Sequence, residues 1–402
     1  MRLLSNLLTR FIKTGTMTVI DADGRAHDFG TGEPRVTLRL YDRRLYNKIA
    51  INPELYAGEA YMDGTLTFEN GSDVSGFMYL FSLNRDALGS QGSQKFLRRT
   101  WRALRRWHQS NPVGVAAKNA QAHYDVSNEV YKLFLDEGLN YSCAFFYDPS
   151  ESIEQAQFNK LERITAKLGL KPGMKVFEIG SGWGSMAIHI AKHTGAHVTA
   201  ANVSIEQLRL SRERAAAAGV ADLIDFVETD YRKMTGAFDR IVSVGMMEHV
   251  GLHHFDEYFG TIKSLLKPDG WAMIHCIGRQ APPSATGPFI RKYIFPGAYV
   301  PSLSEVFAST ERVRLHCADM EVLRLHYHYT LQAWMKKFAA NRDAIVAING
   351  ERFARAWEYY LAAVDVGFWN GNAMVFQLLL SPTNDAVPVV RDVLLPKRGT
   401  GS

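Results

Sequence analysis

"KVFEIGSGWGSMAIHIAKHTG", residues 175–195, decides the reading of this 402-residue chain. An apolar run at 176–179, interrupted only by Glu178, ends in glycines at 180, 182 and 184, and a helical pattern follows. A strand that turns through glycines into a helix leaves backbone N–H groups free at the helix start, where a ligand can be held. Two ligands compete for such a turn. A dinucleotide loop has the form G-x-G-x-x-G, with an acid about 20 residues later for the ribose. Here the spacing is G-x-G-x-G, and "TAANVSIEQ" (199–207) places no acid at the end of the next strand. The spacing fits S-adenosylmethionine better than NAD. Asp230, in "FVETDYR", stands where an adenine amino group can find an acceptor.

Outward from this turn, strand-like runs at 175–179, 197–203, 223–228, 238–245 and 270–277 alternate with helical stretches. That alternation predicts a parallel sheet covered on both faces. Residues 279–302 break it with proline and glycine and read as a lid, and the last third is helical with a final strand at "AMVFQLLLS". Toward the N-terminus, 1–15 reads as an amphipathic helix and "MTVIDADGRAHDFG" as a hairpin turning at Asp23-Gly24. The expected organisation is an α+β domain over 1–88, a basic amphipathic linker over 89–119, a catalytic domain over 120–385 and a tail over 386–402.

Composition narrows the class. At 47% hydrophobic residues the chain can bury a large core, and no apolar run approaches the ~20 residues needed to span a bilayer. Cys143, Cys276 and Cys317 are isolated, with no disulfide framework and no metal spacing, which suits a reducing cytoplasm. The charge is uneven: residues 1–110 hold 16 Lys/Arg against 11 Asp/Glu, which is the whole of the +5 excess. "KFLRRTWRALRRWHQ" (95–109) carries six basic residues and no acid, interleaved with Trp101 and Trp107. A charge run is usually a solvated face, but indoles among arginines favour a membrane interface. No nucleic-acid module is visible.

Longer motifs sharpen the chemistry. "AHYDVSNEVYKLFLDEGLNYSCAFF", "EIGSGWG", "DRIVSVGMMEHVG", "MIHCIGR", "FIRKYIFPGAYVPS" and "HYHYTLQAW" follow the order found in cyclopropane-fatty-acyl-phospholipid synthases. The chain resembles that family from 120 to 380, and 1–110 is similar to the lipid-handling N-terminal domain of its longer bacterial members. The resemblance implies a Rossmann-like class I methyltransferase sheet with a small N-terminal α+β lipid-binding domain. It implies methyl transfer from S-adenosylmethionine to a cis double bond of a phospholipid acyl chain, followed by proton removal to close a three-membered ring. An alkene is a weak nucleophile, so the methyl must meet it in a dry, aligned site. Aromatic faces can stabilise the resulting carbocation.

The resemblance further implies a bound bicarbonate as the base, in a pocket matching Cys143, Glu248, His275, Ile277 and Tyr327. Glu248 would accept the bicarbonate O–H, His275 and Tyr327 would donate to its other oxygens, and Cys143 and Ile277 would contribute backbone groups. The cofactor would lie against Tyr141, Ser142, Glu178, Gly180, Gly182, Gly184, Asn202, Gln207, Asp230 and Tyr231, with Gln207 and Asn202 as ribose partners. Each residue alone has a plainer explanation: a buried histidine, a helix cap, a small core cysteine. Gly180, Asp230, Glu248 and His275 gain weight together because all are expected at strand C-terminal ends, where α/β sheets bind ligands.

The match departs from the family in "YYLAAVDVGFWNGN" (359–372). Val364 takes a position that is cysteine in many members, and Trp369 replaces an arginine. Methylation without ring closure, or an inactive lipid-binding relative, are the alternatives this raises. The expected partners are anionic membrane phospholipids, met peripherally from the cytoplasmic side, and a second copy of the chain, since family members are often dimers.

Overall fold

The computed structural model describes residues 1–89 and 127–396. The basic stretch 95–109 lies outside the described residues. The chain divides into two compact units that are discontinuous in sequence: 1–108 with 284–296 and 334–372, and 109–283 with 297–333 and 373–402. The boundary therefore differs from a single break at 89–119. Segments from the last third join the first unit because their apolar faces pack there. The helix Glu351–Trp369 lies against the helices Pro53–Met62 and Val74–Leu83. Phe289 and Tyr359 approach Gly58 so closely that a Cβ there would stand 2.5 Å and 2.8 Å from their rings. The segment 279–302, expected to act as one lid, is split between the units.

The first unit carries a four-stranded sheet in the order β2-β1-β3-β4, with β1 Gly15–Ile20, β2 Ala26–Thr31, β3 Arg35–Leu40 and β4 Leu66–Glu69. β1 and β2 form the expected hairpin, and β3 runs parallel to β1. Helix Arg2–Phe11 buries Leu4, Leu7, Leu8 and Phe11. Buried Asn84 ties this region together: its Oδ1 accepts from the Lys13 and Thr14 amides, and its Nδ2 donates to the Leu80 and Thr14 carbonyls.

The second unit holds a seven-stranded sheet, β10-β11-β9-β8-β5-β6-β7. Its strands are β5 Lys175–Ile179, β6 His197–Asn202, β7 Ile224–Glu228, β8 Phe238–Val244, β9 Leu266–Arg279, β10 His316–Val322 and β11 Ala373–Ser381. From β7 to β9 all pairings are parallel, whereas β11 is antiparallel to both β9 and β10. The all-parallel expectation is corrected at this edge. β10 ("HCADMEV") was not anticipated, being polar and half-exposed as an edge strand should be.

Side chains alternate across this sheet with a period of two. Phe177, Ile179, Ile241, Ile274, Phe376 and Leu378 fall in the core on one face. Val176, Val198, Val242, Met273 and Leu379 fall in the core on the other. Helix Ile153–Leu168 adds Leu161, Ile164 and Leu168 to this second core. It is capped by Ser152, which accepts from the Gln155 amide at 3.1 Å, and stopped by Gly169 in the left-handed region. The alternation places Glu178, His275 and Gln377 on the face this helix covers.

Candidate active site

The turn after β5 fits a ligand by its backbone. Gly182 has φ +52°, and a Cβ added there would meet nothing within 4 Å. The chain therefore leaves open space above that glycine. Gly184, at φ +80°, has the opposite reason: a Cβ would press on Ser211 at 3.0 Å and Phe226 at 3.1 Å. Around the turn several buried polar atoms lack partners, namely Ser181 Oγ, Gln207 Nε2 and Glu178 Oε2. Burying such groups unpaired costs stability, and a nucleoside cofactor with hydroxyls and an amino-acid moiety would satisfy them. Asn202 Nδ2 donates to Gln207 Oε1 at 2.9 Å and to the Gly182 carbonyl at 3.1 Å, which holds the Gln207 amide in place. These residues fit S-adenosylmethionine.

Three expected cofactor residues are engaged by neighbouring side chains. Both Asp230 oxygens accept from the Arg232 guanidinium, at 2.9 and 2.6 Å, so the carboxylate meets adenine only through its remaining lone pairs. The Tyr231 ring packs edge-on against Tyr258 in the core. Tyr141 packs against Tyr131 and Phe134.

A loop at 140–146 brings Ser142 and Cys143 beside the other expected residues. Buried Lys160 donates to Asn140 Oδ1 at 3.0 Å and Ser142 Oγ at 3.1 Å. Its charge acts on Cys143, Glu178 and His275. The Ala144 amide donates to Thr330 Oγ1 at 3.0 Å, and the Phe146 amide to His326 Nδ1 at 3.1 Å. These bonds dock the loop on the first turns of helix His326–Ala340, which carries buried Tyr327. Burial pushes the Cys143 thiol far up, so it is no thiolate nucleophile.

Glu248 follows β8 in a short 3₁₀ turn, Met247–His249. Its Oε1 accepts the Ile277 amide at 2.6 Å, while its Oε2 is buried without a hydrogen-bond partner. The Ile277 N–H, one of the backbone groups expected in this pocket, thus donates to Glu248. Burial raises the Glu248 carboxyl to about 7, against the pull of that N–H. His275, two residues before Ile277 on β9, is held neutral by burial, which lowers its pKa to about 3 with help from the charges of Lys160 and Lys167. A buried carboxylate oxygen without a partner calls for a hydrogen-bond donor, which a ligand bearing an O–H would supply.

Lys160, Lys167 and Gln377 did not emerge from the sequence as site residues. A signal was present: two lysines seven apart on one helix face, and a lone glutamine within the apolar run "AMVFQLLLS". Elsewhere Glu162, His189 and His193 bring ligating atoms within 4.8 Å of one another. The two rings stack at 4.3 Å, packed face on face rather than splayed around a point.

The first unit encloses a cavity of about 310 Å³, lined almost wholly by apolar side chains including Leu4, Leu8, Phe77, Phe289 and Tyr359, with Glu54 and Arg85 also on its wall. Val364, at the departing position, is half-buried in this unit, and Trp369 stacks on Tyr79 at 4.9 Å.

The family model for mycolic acid cyclopropane synthetase matches residues 113–378. The chain belongs to this family. The chain is 33% identical over 391 residues to the tuberculostearic acid methyltransferase UfaA1 of Mycobacterium tuberculosis, covering 94% of this chain and 90% of that protein. It is also 33% identical over 353 residues to the cyclopropane-fatty-acyl-phospholipid synthase of Escherichia coli, covering 87% and 89%. Among solved structures, the mycolic acid cyclopropane synthase CmaA1 complexed with SAH and CTAB superposes with a TM-score of 0.63 at 27% identity, covering 66% of this chain and 97% of that one. This family member is an S-adenosylmethionine-dependent methyltransferase with a Rossmann-like α/β fold, and its family acts on lipids. Among the described residues no helix is long and apolar enough to cross a membrane.

Proposed function

We propose that this enzyme methylates the cis double bond of phospholipid acyl chains and closes a cyclopropane ring. The observation that carries the reading is the buried, unpartnered Glu248 Oε2, fixed by the Ile277 amide on the strand that also bears neutral His275. S-adenosylmethionine supplies an electrophilic methyl group, and bound bicarbonate supplies the base for ring closure. Glu248 accepts the O–H of that base and so raises the basicity of its other oxygens. His275 and Tyr327 donate to the remaining oxygens, and the buried Lys160 charge offsets the added anion. Gly182, Gln207 and Asn202 would hold the cofactor, together with Tyr141 and Ser142 of the 140–146 loop.

The apolar cavity of the first unit supports an acyl substrate. The basic residues of 95–109 support reversible attachment to anionic membranes. Liposome binding should weaken with salt and with Arg98/Arg102/Arg105→Ala, and binding indifferent to both would remove the membrane role.

A second reading, methylation without ring closure, is favoured by Val364 and Trp369 and by the methyltransferase UfaA1 among the relatives. Expression in a host lacking cyclopropane fatty acids, followed by lipid mass spectrometry, separates the two. Cyclopropanation adds one CH₂ to an unsaturated chain, whereas a saturated methyl branch adds CH₂ and two hydrogens. A methylene product has the cyclopropane mass and is told apart by NMR. Unchanged lipids would leave a binding protein.

A further inference from the structure

His275 on β9 is paired directly with Gln377 on β11, and Gln377 in turn with Glu321 on β10. Directly opposed residues share a face, so the three form a polar row across the strands. Helix Ile153–Leu168 lies over this face and contributes Arg163 and Lys167. His275, Gln377 and Lys167 are each at most 2% exposed. In such a place every polar atom must find a complementary partner.

Lys167 Nζ lies 2.6 Å from Glu321 Oε2 and 2.6 Å from Gln377 Oε1. An ammonium only donates, so the Gln377 atom facing it must be the carbonyl oxygen. The reversed amide would set an NH₂ against an NH₃⁺ at that distance. Arg163 holds Glu321 from the other side, and together the two cations outweigh burial and bring its pKa to about 2. Glu321 thus stays charged opposite Lys167, which fixes the amide. Gln377 Nε2 then lies 3.1 Å from His275 Nδ1. The amide nitrogen only donates, so Nδ1 must offer a lone pair. A neutral imidazole has one N–H, and here it can only be on Nε2.

We propose that Gln377, oriented by Lys167, is a positioning residue that holds His275 in the Nε2–H tautomer and so makes the ring a hydrogen-bond donor to an anion in the site. The opposite tautomer would turn a lone pair toward the anion and repel it. The identity of the anion rests on the bicarbonate reading, and the tautomer does not.

The test labels histidine with ¹⁵N and reads the two ring nitrogens of His275 by NMR, assigned from the signals lost in His275→Gln. In the unaltered enzyme Nε2 should be protonated and Nδ1 bare. In Gln377→Glu, a carboxylate at this position accepts from Nδ1–H, so the ring should change tautomer or become doubly protonated. Where the tautomer changes, that variant should need about tenfold more bicarbonate for half-maximal turnover; a doubly protonated ring keeps Nε2–H, and the requirement should then not rise. The Kd for S-adenosylmethionine should be unchanged in both cases. Lys167→Met should also broaden or shift the His275 signals, because the amide is then free to reverse. A proton on Nδ1 in the unaltered enzyme overturns the proposal without any variant having to fold. Unchanged ring shifts in a folded Gln377→Glu protein overturn it too. An Nε2–H ring in an enzyme indifferent to bicarbonate would uphold the relay and remove the bicarbonate reading instead.

Discussion

The glycine turn after β5 and the polar row across β9, β11 and β10 are built in opposite ways. The turn is made of backbone: positive φ angles, open space over Gly182, close packing under Gly184. The row is made of buried side chains, each of whose hydrogen-bonding roles is dictated by the next. A backbone site is specified locally and changes gradually with substitution. A buried polar network changes abruptly, because removing one member leaves another unsatisfied.

The largest expected contrast is Glu248→Gln. It keeps the shape and the bond from Ile277 open to its oxygen, but places an NH₂ or a neutral oxygen where the anion needs a carboxylate. Turnover should fall about 10²- to 10³-fold, with calorimetric binding of S-adenosylmethionine unchanged. Comparable loss of cofactor affinity would show that the two halves are not separable. Gly182→Ala breaks the comparison from the other side. A Cβ in the cofactor's space, on a left-handed backbone, should weaken cofactor binding about tenfold, while the His275 ring signals stay in place.

The pH dependence sharpens the same contrast. Glu248 titrates near 7 when folded against 4.5 in the open chain, so the folded state holds this proton more tightly. Stability from this group is present at low pH and is lost as pH rises from 4.5 through 7, on the order of 3 kcal/mol. His275 acts in the reverse sense: lowered from 6.5 to about 3, it contributes stability above 6.5 that is lost as pH falls toward 3. Urea titrations across pH 4–8 should show the alkaline loss vanish in Glu248→Gln and the acid loss shrink in His275→Gln. Gly182→Ala should follow the parent curve throughout, and a changed slope there would count against assigning the titration to the polar half.

The smallest effect on chemistry is expected from Asn84→Ala in the first unit. Losing bonds to Lys13, Thr14 and Leu80 should cost about 2–3 kcal/mol of stability. Cofactor affinity should stay as it was, and a large drop would mean that the first unit shapes the cofactor site.

Legibility followed the same divide. The turn at 180–184, the strands β5 to β9 and the hairpin of the first unit could be read because each is written in neighbouring residues. Glu248 and His275 were reached through resemblance in motif order, not through spacing. Asp230 was correctly placed after β7, but its ion pair to Arg232 belongs to a side-chain choice that spacing does not encode. β10 was missed because an edge strand needs no apolar run. The joining of 284–296 and 334–372 to the first unit was missed because it depends on apolar faces distant in sequence.

By itself the sequence determined a glycine turn, a strand–helix alternation and a family, since backbone conformation and hydrophobic period are local properties. Only the tertiary structure decided which polar atoms are left without partners and which way Gln377 faces. Those outcomes depend on residues 167, 275 and 377, all but closed to water, meeting half-buried Glu321 on the edge strand. There each donor must be matched to an acceptor, and the tautomer of one histidine follows from the charge of one lysine.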